Sequence, residues 1–416
     1  MEVVTECCCG LDVHQAAITA CLVKARRGVR TERVFREFGT TTREIGALKN
    51  WLCEAGCTHV VMESTGVYWL PVYNVLEDSG LELVVGNAQH IKNVPGRKTD
   101  VRDAEWLADL VRHGLIRKSF VPSKEFRQLR ILTRYRTSLV GAQTAERNRT
   151  MKVLETGNIK LSSVASNVFG VSGRLMLKAI IEGELQPEQM ADLAKGVLRK
   201  KIAQLVPALD GLVEQHHREI LAVQYARIEE NEKQLKLIEA QINERLKPYQ
   251  EEIELLTTIP GVDKHVAHVI IAELSVDVSA FATGKQLVRW AGLAPGDNMS
   301  AGKRRNSNIT PGNPYLRAML VQAAHAAAGT KNTYLREKFY RLKSRRGPKR
   351  AAVAIARKIA ISAFHILKTK KPYKELGSAY LDMRGKQQVT TALVKRLTNL
   401  GYSVSLEAKA EATATS

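Results

Sequence analysis

Apolar and polar positions alternate over short distances in the first third of the chain and over helical distances afterwards. From Cys7 to Val23 small and β-branched residues dominate, Arg33 to Phe38 alternates apolar with charged, and Thr58 to Met62 is a short apolar run. Each pattern predicts a strand. Thr42 to Ala55 and Tyr68 to Asp78 carry helical periodicity, Leu81 to Val85 returns to strand, and Val101 to His113 is helical again. Strands interspersed with helices predict an α/β sheet domain. Beyond Pro122 the strand pattern fades, and Glu125 to Gln250 reads as helices interrupted near Gly157, Gly170 to Gly173, Pro187 and Pro207. Leu221, Ile228, Leu235, Ile242 and Tyr249 recur every seven residues, with Ile238 and Leu246 widening the stripe. This predicts a coiled-coil arm ending near Pro248, which either pairs two subunits or folds back as a hairpin. The domains expected are therefore 1–155, a sheet domain with its following helix; 156–250, a helical linker and arm; 251–375, a mostly α domain; and 376–416, a polar tail. LEAKAEATATS, at the end of that tail, has the composition of a disordered segment.

Composition adds a partner to this outline. Lysine and arginine number 63 against 42 aspartates and glutamates, a formal charge of +21. An excess of this size repels itself in a compact chain unless a polyanion answers it, and nucleic acid fits first. The six cysteines, Cys7, Cys8, Cys9, Cys21, Cys53 and Cys57, have no spacing of paired disulfides, which favours a reducing cytoplasm. Cys53, Cys57 and His59 invite a metal reading, but no second ligand pair follows, so buried, inert thiols are expected. The opening MEVVTECCCGLDVH lacks the form of a signal peptide, and no apolar run reaches membrane-spanning length, so a soluble cytoplasmic protein is expected.

Four carboxylates stand where a sheet domain could gather them. Asp12 falls within a strand-like apolar segment, where an unpartnered charge is costly and a metal ion is one remedy; a turn carboxylate at the strand's end is the other reading. Glu63 closes the run His59-Val-Val-Met, at the C-terminal end of a strand. Asp100 and Asp103, in GRKTDVRDAEWLADLVRHG, can cap a helix, yet they also continue the stripe of Leu107 and Leu110. Inward carboxylates repel one another, and a divalent cation is the simplest compensation. Such a cluster suits Mg²⁺ and phosphodiester chemistry. No GxxxxGK[ST] loop supports nucleoside triphosphate hydrolysis.

The C-terminal region carries different chemistry. EEIELLTTIPGVDKHVAHVIIAEL places a tight turn between two apolar helices, similar to a helix-hairpin-helix, with Asp263 where a second glycine is usual. A purely structural hairpin is the alternative. Ser300 opens a loop bearing Lys303, Arg304 and Arg305; cations beside a serine can stabilise its alkoxide and a phosphate, although an ordinary loop serine looks the same. From Lys331 to Lys371 the chain holds one acid, Glu337, among many cations, including Arg345, Arg346, Lys349 and Arg350, with Tyr334, Phe339, Tyr340 and Tyr373 nearby. Nucleic-acid backbone neutralisation with some stacking accounts for that imbalance.

Taken in order, GLDVHQ, VVMESTGVYW, NVPGRKTDVRDAEWLADLVRHGLI, TTIPGVDKHVAHVIIAEL and GLAPGDNMSAGKRR with GNPYLR resemble the IS-one-ten family of insertion-sequence transposases, also called DEDD transposases. The likeness extends to about Lys371. It implies an N-terminal RuvC-like RNase H fold whose four metal-binding acids are Asp12, Glu63, Asp100 and Asp103, and a C-terminal transposase domain whose nucleophile is Ser300, linked covalently to a DNA end. It also implies guidance by a structured RNA from the element, homo-oligomers, and composite sites with acids and serine from different subunits. Departures from the pattern are the Cys7 to Cys9 run, Asp263, and Pro311 before Gly312-Asn313. Two other readings stand beside this one: a RuvC-like nuclease or junction resolvase with no covalent step, and a catalytically silent nucleic-acid-binding protein.

Overall fold

A computed structural model describes residues 4–24, 31–64, 66–87, 91, 100–116, 118–296, 299–300, 303–304 and 308–407. Two compact units divide between Glu125 and Phe126. In the first, strands β1 (Cys7–Val13), β2 (Ala17–Lys24), β3 (Glu32–Gly39), β4 (His59–Glu63) and β5 (Glu82–Gly86) form one sheet in the order β3-β2-β1-β4-β5. The segment from Cys7 to Val23 is thus a hairpin of two strands. β1 and β2 pair antiparallel, as do β2 and β3, whereas β4 runs parallel to both β1 and β5. This mixed sheet with its helices fits an RNase H-like fold.

Alternation along the strands sorts side chains to two layers. Cys9, Leu11, Val60, Met62, Leu83 and Val85 face helices α1 (Thr42–Glu54) and α2 (Trp69–Leu76), meeting Ile45, Leu48, Leu52, Val72 and Leu76. Cys8, Val61 and Val84 face the other way, onto Ala104, Leu107, Ala108 and Val111 of α3 (Asp100–Arg112). Gly10 lets α3 come close: a Cβ there would stand 2.0 Å from the Ala104 carbonyl oxygen and 2.6 Å from the Ala108 nitrogen. All six thiols are free, and burial pushes Cys8 and Cys21 up to about 12, so these are core residues and poor nucleophiles.

In the second unit the long helices α4 (Lys124–Thr156) and α5 (Gln215–Leu246) lie antiparallel. Arg245 donates to Gln128 at 2.9 Å, Arg136 to Glu239 at 2.8 Å, and Gln143 and Arg147 to Glu232 at 3.1 Å, so partners advance on one helix as they retreat on the other. The seven-residue stripe therefore meets a helix of its own chain, with Leu221, Ile228, Ile242 and Leu246 buried. Between them, short helices from Leu161 to Leu209 enclose a small core around Leu161, Met176, Leu177 and Leu205.

After the arm come α6 (Gln250–Thr257), α7 (Lys264–Leu274), α8 (Gly284–Trp290), the two-stranded ribbon β6 (Met299–Ser300) and β7 (Lys303–Arg304), then α9 (Pro314–Gly329), α10 (Tyr334–Arg346) and α11 (Pro348–Thr369). The Ile-Pro-Gly-Val turn joins α6 to α7. Gly261 takes a φ of +85°, and a Cβ on it would stand 2.3 Å from the Ala323 carbonyl of α9. Asp263 caps α7 by accepting from the Val266 amide at 2.8 Å. The turn glycine thus packs on a neighbouring helix, and the acid satisfies a first-turn amide. Beyond Tyr373 the expected polar tail contains a further helix, α12 (Lys386–Asn399), with Leu393 and Leu397 exposed. Most of LEAKAEATATS lies outside the described residues. Among the described residues no helix is long and apolar enough to cross a membrane.

Candidate functional site

The parallel pairing of β1 and β4 sets the first candidate site. Leu11 pairs with Met62, so Asp12 and Glu63 follow at the same C-terminal end of adjacent strands. Both belong to the alternation that includes Cys8, Gly10 and Val61, and so both face α3. Ligand-binding groups gather at this end of parallel strands because the chain leaves the sheet there and frees its side chains. The tight seat of α3 on Gly10 brings the first turn of that helix, with Asp103, over the same end. Asp100 begins the helix, and its side chain lies outside the described residues, as does that of Arg102.

Asp12 is the next-to-last residue of β1, with 21% of its side chain exposed, and its Oδ2 lies 3.2 Å from His14 Nε2. The strand position and the strand-end reading thus both describe it. Burial raises the Asp12 pKa above its ordinary value, His14 opposes that rise, and the negative charges of Asp103 and Glu63 add to it. Both neighbouring carboxylates therefore act on Asp12. Their oxygens do not all three draw within 4.8 Å of one another: among the described residues, the trio that does so is Glu214, His216 and His217. That trio caps α5, since the Glu214 amide donates to His217 Nδ1 at 3.1 Å. A helix N-terminus also carries the positive end of the dipole, which opposes a cation. The carboxylates remain the better donor set, being all oxygen, and this chemistry fits a hard divalent cation. Cys53, Cys57 and His59 form no such group among the described residues.

The second candidate site is the basic ribbon. Ser300 pairs with Lys303 and Met299 with Arg304. Below the ribbon the Gly296 amide donates to Asn308 O at 2.9 Å and the Thr310 amide to Ala294 O at 3.0 Å, fastening both sides of its stalk. Gly312 abuts Gly292 so closely that a Cβ would stand 2.3 Å from the Gly292 nitrogen, which leaves no room for another residue beside the exposed Pro311. The side chains of Ser300, Lys303 and Arg304, and all of Arg305, lie outside the described residues.

Arg345 and Arg346 end α10, Gly347 turns the chain with a φ of +80°, and Lys349 and Arg350 enter α11; all four cations are exposed. Lys349 and Arg350 sit at the positive end of a helix dipole, an unfavourable place for cations unless an anion joins them.

Sequence reasoning passed over Glu273. It is 0% exposed in α7, where Arg134 donates to both of its oxygens at 2.8 and 2.9 Å and Asn313 Nδ2 to one of them at 2.6 Å. Burial pushes the neighbouring Arg130 down to about 10. The available signal was a single acid inside the apolar run VIIAEL.

One family model, described as a DEDD transposase of IS110 type, matches residues 9–159, and a second, described as transposase IS116/IS110/IS902 family, matches 253–341. A protein of Pseudomonas aeruginosa named as a family 20 transposase is 27% identical over 322 residues, covering 76% of this chain and 85% of its own. A protein of Sinorhizobium fredii named as transposase y4pF/y4sB is 28% identical over 284 residues, 67% of this chain and 64% of that relative's length. With both models matched in order, one spanning the sheet unit and one spanning the ribbon, the chain belongs to the IS110 family of transposases.

Proposed function

We propose that this transposase cuts and rejoins DNA with two sets of residues, the acids Asp12, Glu63, Asp100 and Asp103 and the nucleophile Ser300. The observation that carries the reading is the shared end and shared face of Asp12 and Glu63, with Asp103 above them on a helix seated at Gly10. When bound at these acids, Mg²⁺ would neutralise the phosphate and polarise the bond to be broken. His14, 3.2 Å from Asp12, opposes the rise in its pKa, and Asp12 joins Glu63 and Asp103 in the donor set. Ser300 attacks phosphorus and releases a DNA hydroxyl, keeping the bond's energy in a serine ester for rejoining. Lys303, Arg304 and Arg305 stabilise charge on the phosphate oxygens. Arg345, Arg346, Lys349 and Arg350 neutralise backbone, and the +21 charge accommodates a structured guide RNA as well as DNA. Domains 1–155, 156–250, 251–375 and 376–416 are the corresponding divisions, and homo-oligomers would supply composite sites.

The test is to trap protein on DNA carrying a suicide nick. A serine-linked adduct is expected from the unmodified chain, none from Ser300→Ala, and at least a hundredfold slower formation from Asp103→Asn. Adducts that persist in Ser300→Ala would remove the nucleophile. Cleavage without any adduct would instead support the RuvC-like nuclease.

A further inference from the structure

Glu273 does more than fill a core. A bidentate arginine–carboxylate pair fixes the plane of the guanidinium, and here the carboxylate is itself fixed by complete burial and by Asn313. The guanidinium carbon of Arg134 stands 4.4 Å from the ring centroid of Tyr315. Tyr315 lies in the first turn of α9, directly after Pro314, and is 41% exposed. A phenol ring is thus held against a locked cation while much of its area stays open to solvent. Core packing accounts for neither the exposure nor the rigid backing. An aromatic ring backed by arginine is, however, the surface on which unpaired nucleobases stack.

Its location strengthens the point. Asn313, which bonds Glu273, also caps α9 by accepting from the Tyr315 and Leu316 amides at 3.1 Å, and its own amide donates to Trp290 O at 3.2 Å. Thr310 and Asn308, a few residues earlier, close the stalk of the ribbon that carries Ser300. The ring thus follows the stalk closely along the chain, five residues after Thr310, and both are fastened to the segment from Trp290 to Gly296.

We propose that Tyr315 and Arg134 form a stacking site for one unpaired base of a DNA strand, next to the phosphate that the ribbon handles. This deepens the reading of Ser300 as nucleophile and rests on it. Strand exchange must open base pairs at the cut, and the ring gives the opened base a partner. Every base has a π face and no hydrogen-bonding group is invoked, so the site tolerates any sequence.

The experiment uses the full chain and a nicked duplex with one unpaired 2-aminopurine beside the nick, whose fluorescence falls on stacking. Binding is expected to quench the probe with the unmodified chain, with Tyr315→Phe and with Tyr315→Trp. Tyr315→Ala should lose the quench and bind about tenfold more weakly, and its melting temperature should hold because the residue is exposed. An abasic residue in place of the probe should weaken the unmodified chain equally and Tyr315→Ala no further. Undiminished quenching and affinity in Tyr315→Ala would overturn the proposal. Equal Tyr315-dependent quenching by an RNA strand of the same sequence would overturn the assignment to DNA. Adduct trapping on the same duplex separates the two readings: adducts without Tyr315-dependent quenching remove the stacking site alone, and quenching without adducts removes the nucleophile alone.

Discussion

At the scale of single residues, Asp12 carries a conflict that the fold leaves in place. Burial and two neighbouring carboxylates favour its protonated form, and among the described residues His14 opposes them. Because its folded pKa lies above the unfolded value, the folded state binds its proton more readily than the unfolded chain does. The resulting stability is present at pH below the ordinary aspartate value of 3.8 and is lost as pH rises through the raised folded value. At neutral pH, without divalent ions, Asp12→Asn is therefore expected to raise the melting temperature, and the gain should vanish near pH 3. Added Mg²⁺ should raise the melting temperature of the unmodified chain and leave Asp12→Asn little changed. A melting temperature lowered by the substitution at neutral pH would contradict the account. Asp12 and Glu63 were legible because strand patterns place them by counting. Glu273 was not, since its partners Arg134 and Asn313 lie 139 and 40 residues away along the chain and nothing local marks them.

At the scale of elements, period and chain direction were readable while partners were not. The seven-residue stripe on α5 identified an amphipathic helix correctly, but a stripe looks alike whether it meets its own chain or another. The ion pairs and hydrogen bonds with α4 lay the arm antiparallel along a helix of its own chain. The helix α12 escaped notice because Thr390, Thr391 and the flanking polar residues dilute its apolar positions, and the tertiary contacts that would mark it are few. Glycines test the element scale directly. Gly10→Ala forces a Cβ to within 2.0 Å of the Ala104 carbonyl, so α3 must lift from β1. Chemical denaturation should show a loss of about 3 kcal/mol or more, as expected when a packed interface is forced apart. Gly46, in the middle of α1 with nothing within 4 Å of its Cβ position, makes the contrast: Gly46→Ala should stabilise by about 0.5–1 kcal/mol. If the two substitutions proved equally mild, α3 would not be seated as described, and Asp103 would lose its place above Asp12 and Glu63.

At the scale of the whole molecule, the charge of +21 was plain from composition, but composition says nothing about where cations act together. The structure concentrates four of them at one corner, where α10 ends and α11 begins, and gives two of them a helix dipole of the wrong sign. A charge placed against a dipole and open to solvent costs stability in the free chain and gains when an anion arrives, which is the behaviour of a backbone clamp. Replacing Arg345, Arg346, Lys349 and Arg350 together by alanine should leave melting unchanged or slightly raised. The dependence of log affinity for duplex DNA on log salt should then flatten by about 1 for each cation that meets a phosphate. Lys233 and Lys247 supply the comparison, since each is exposed but paired with an acid three residues away, Glu230 at 3.9 Å and Glu244 at 2.6 Å. Alanine at both should leave the salt slope as it was. A slope that falls by the same amount for each cation removed in the two variants would mean that DNA responds to net charge alone, and the corner between α10 and α11 would have no special part in binding it.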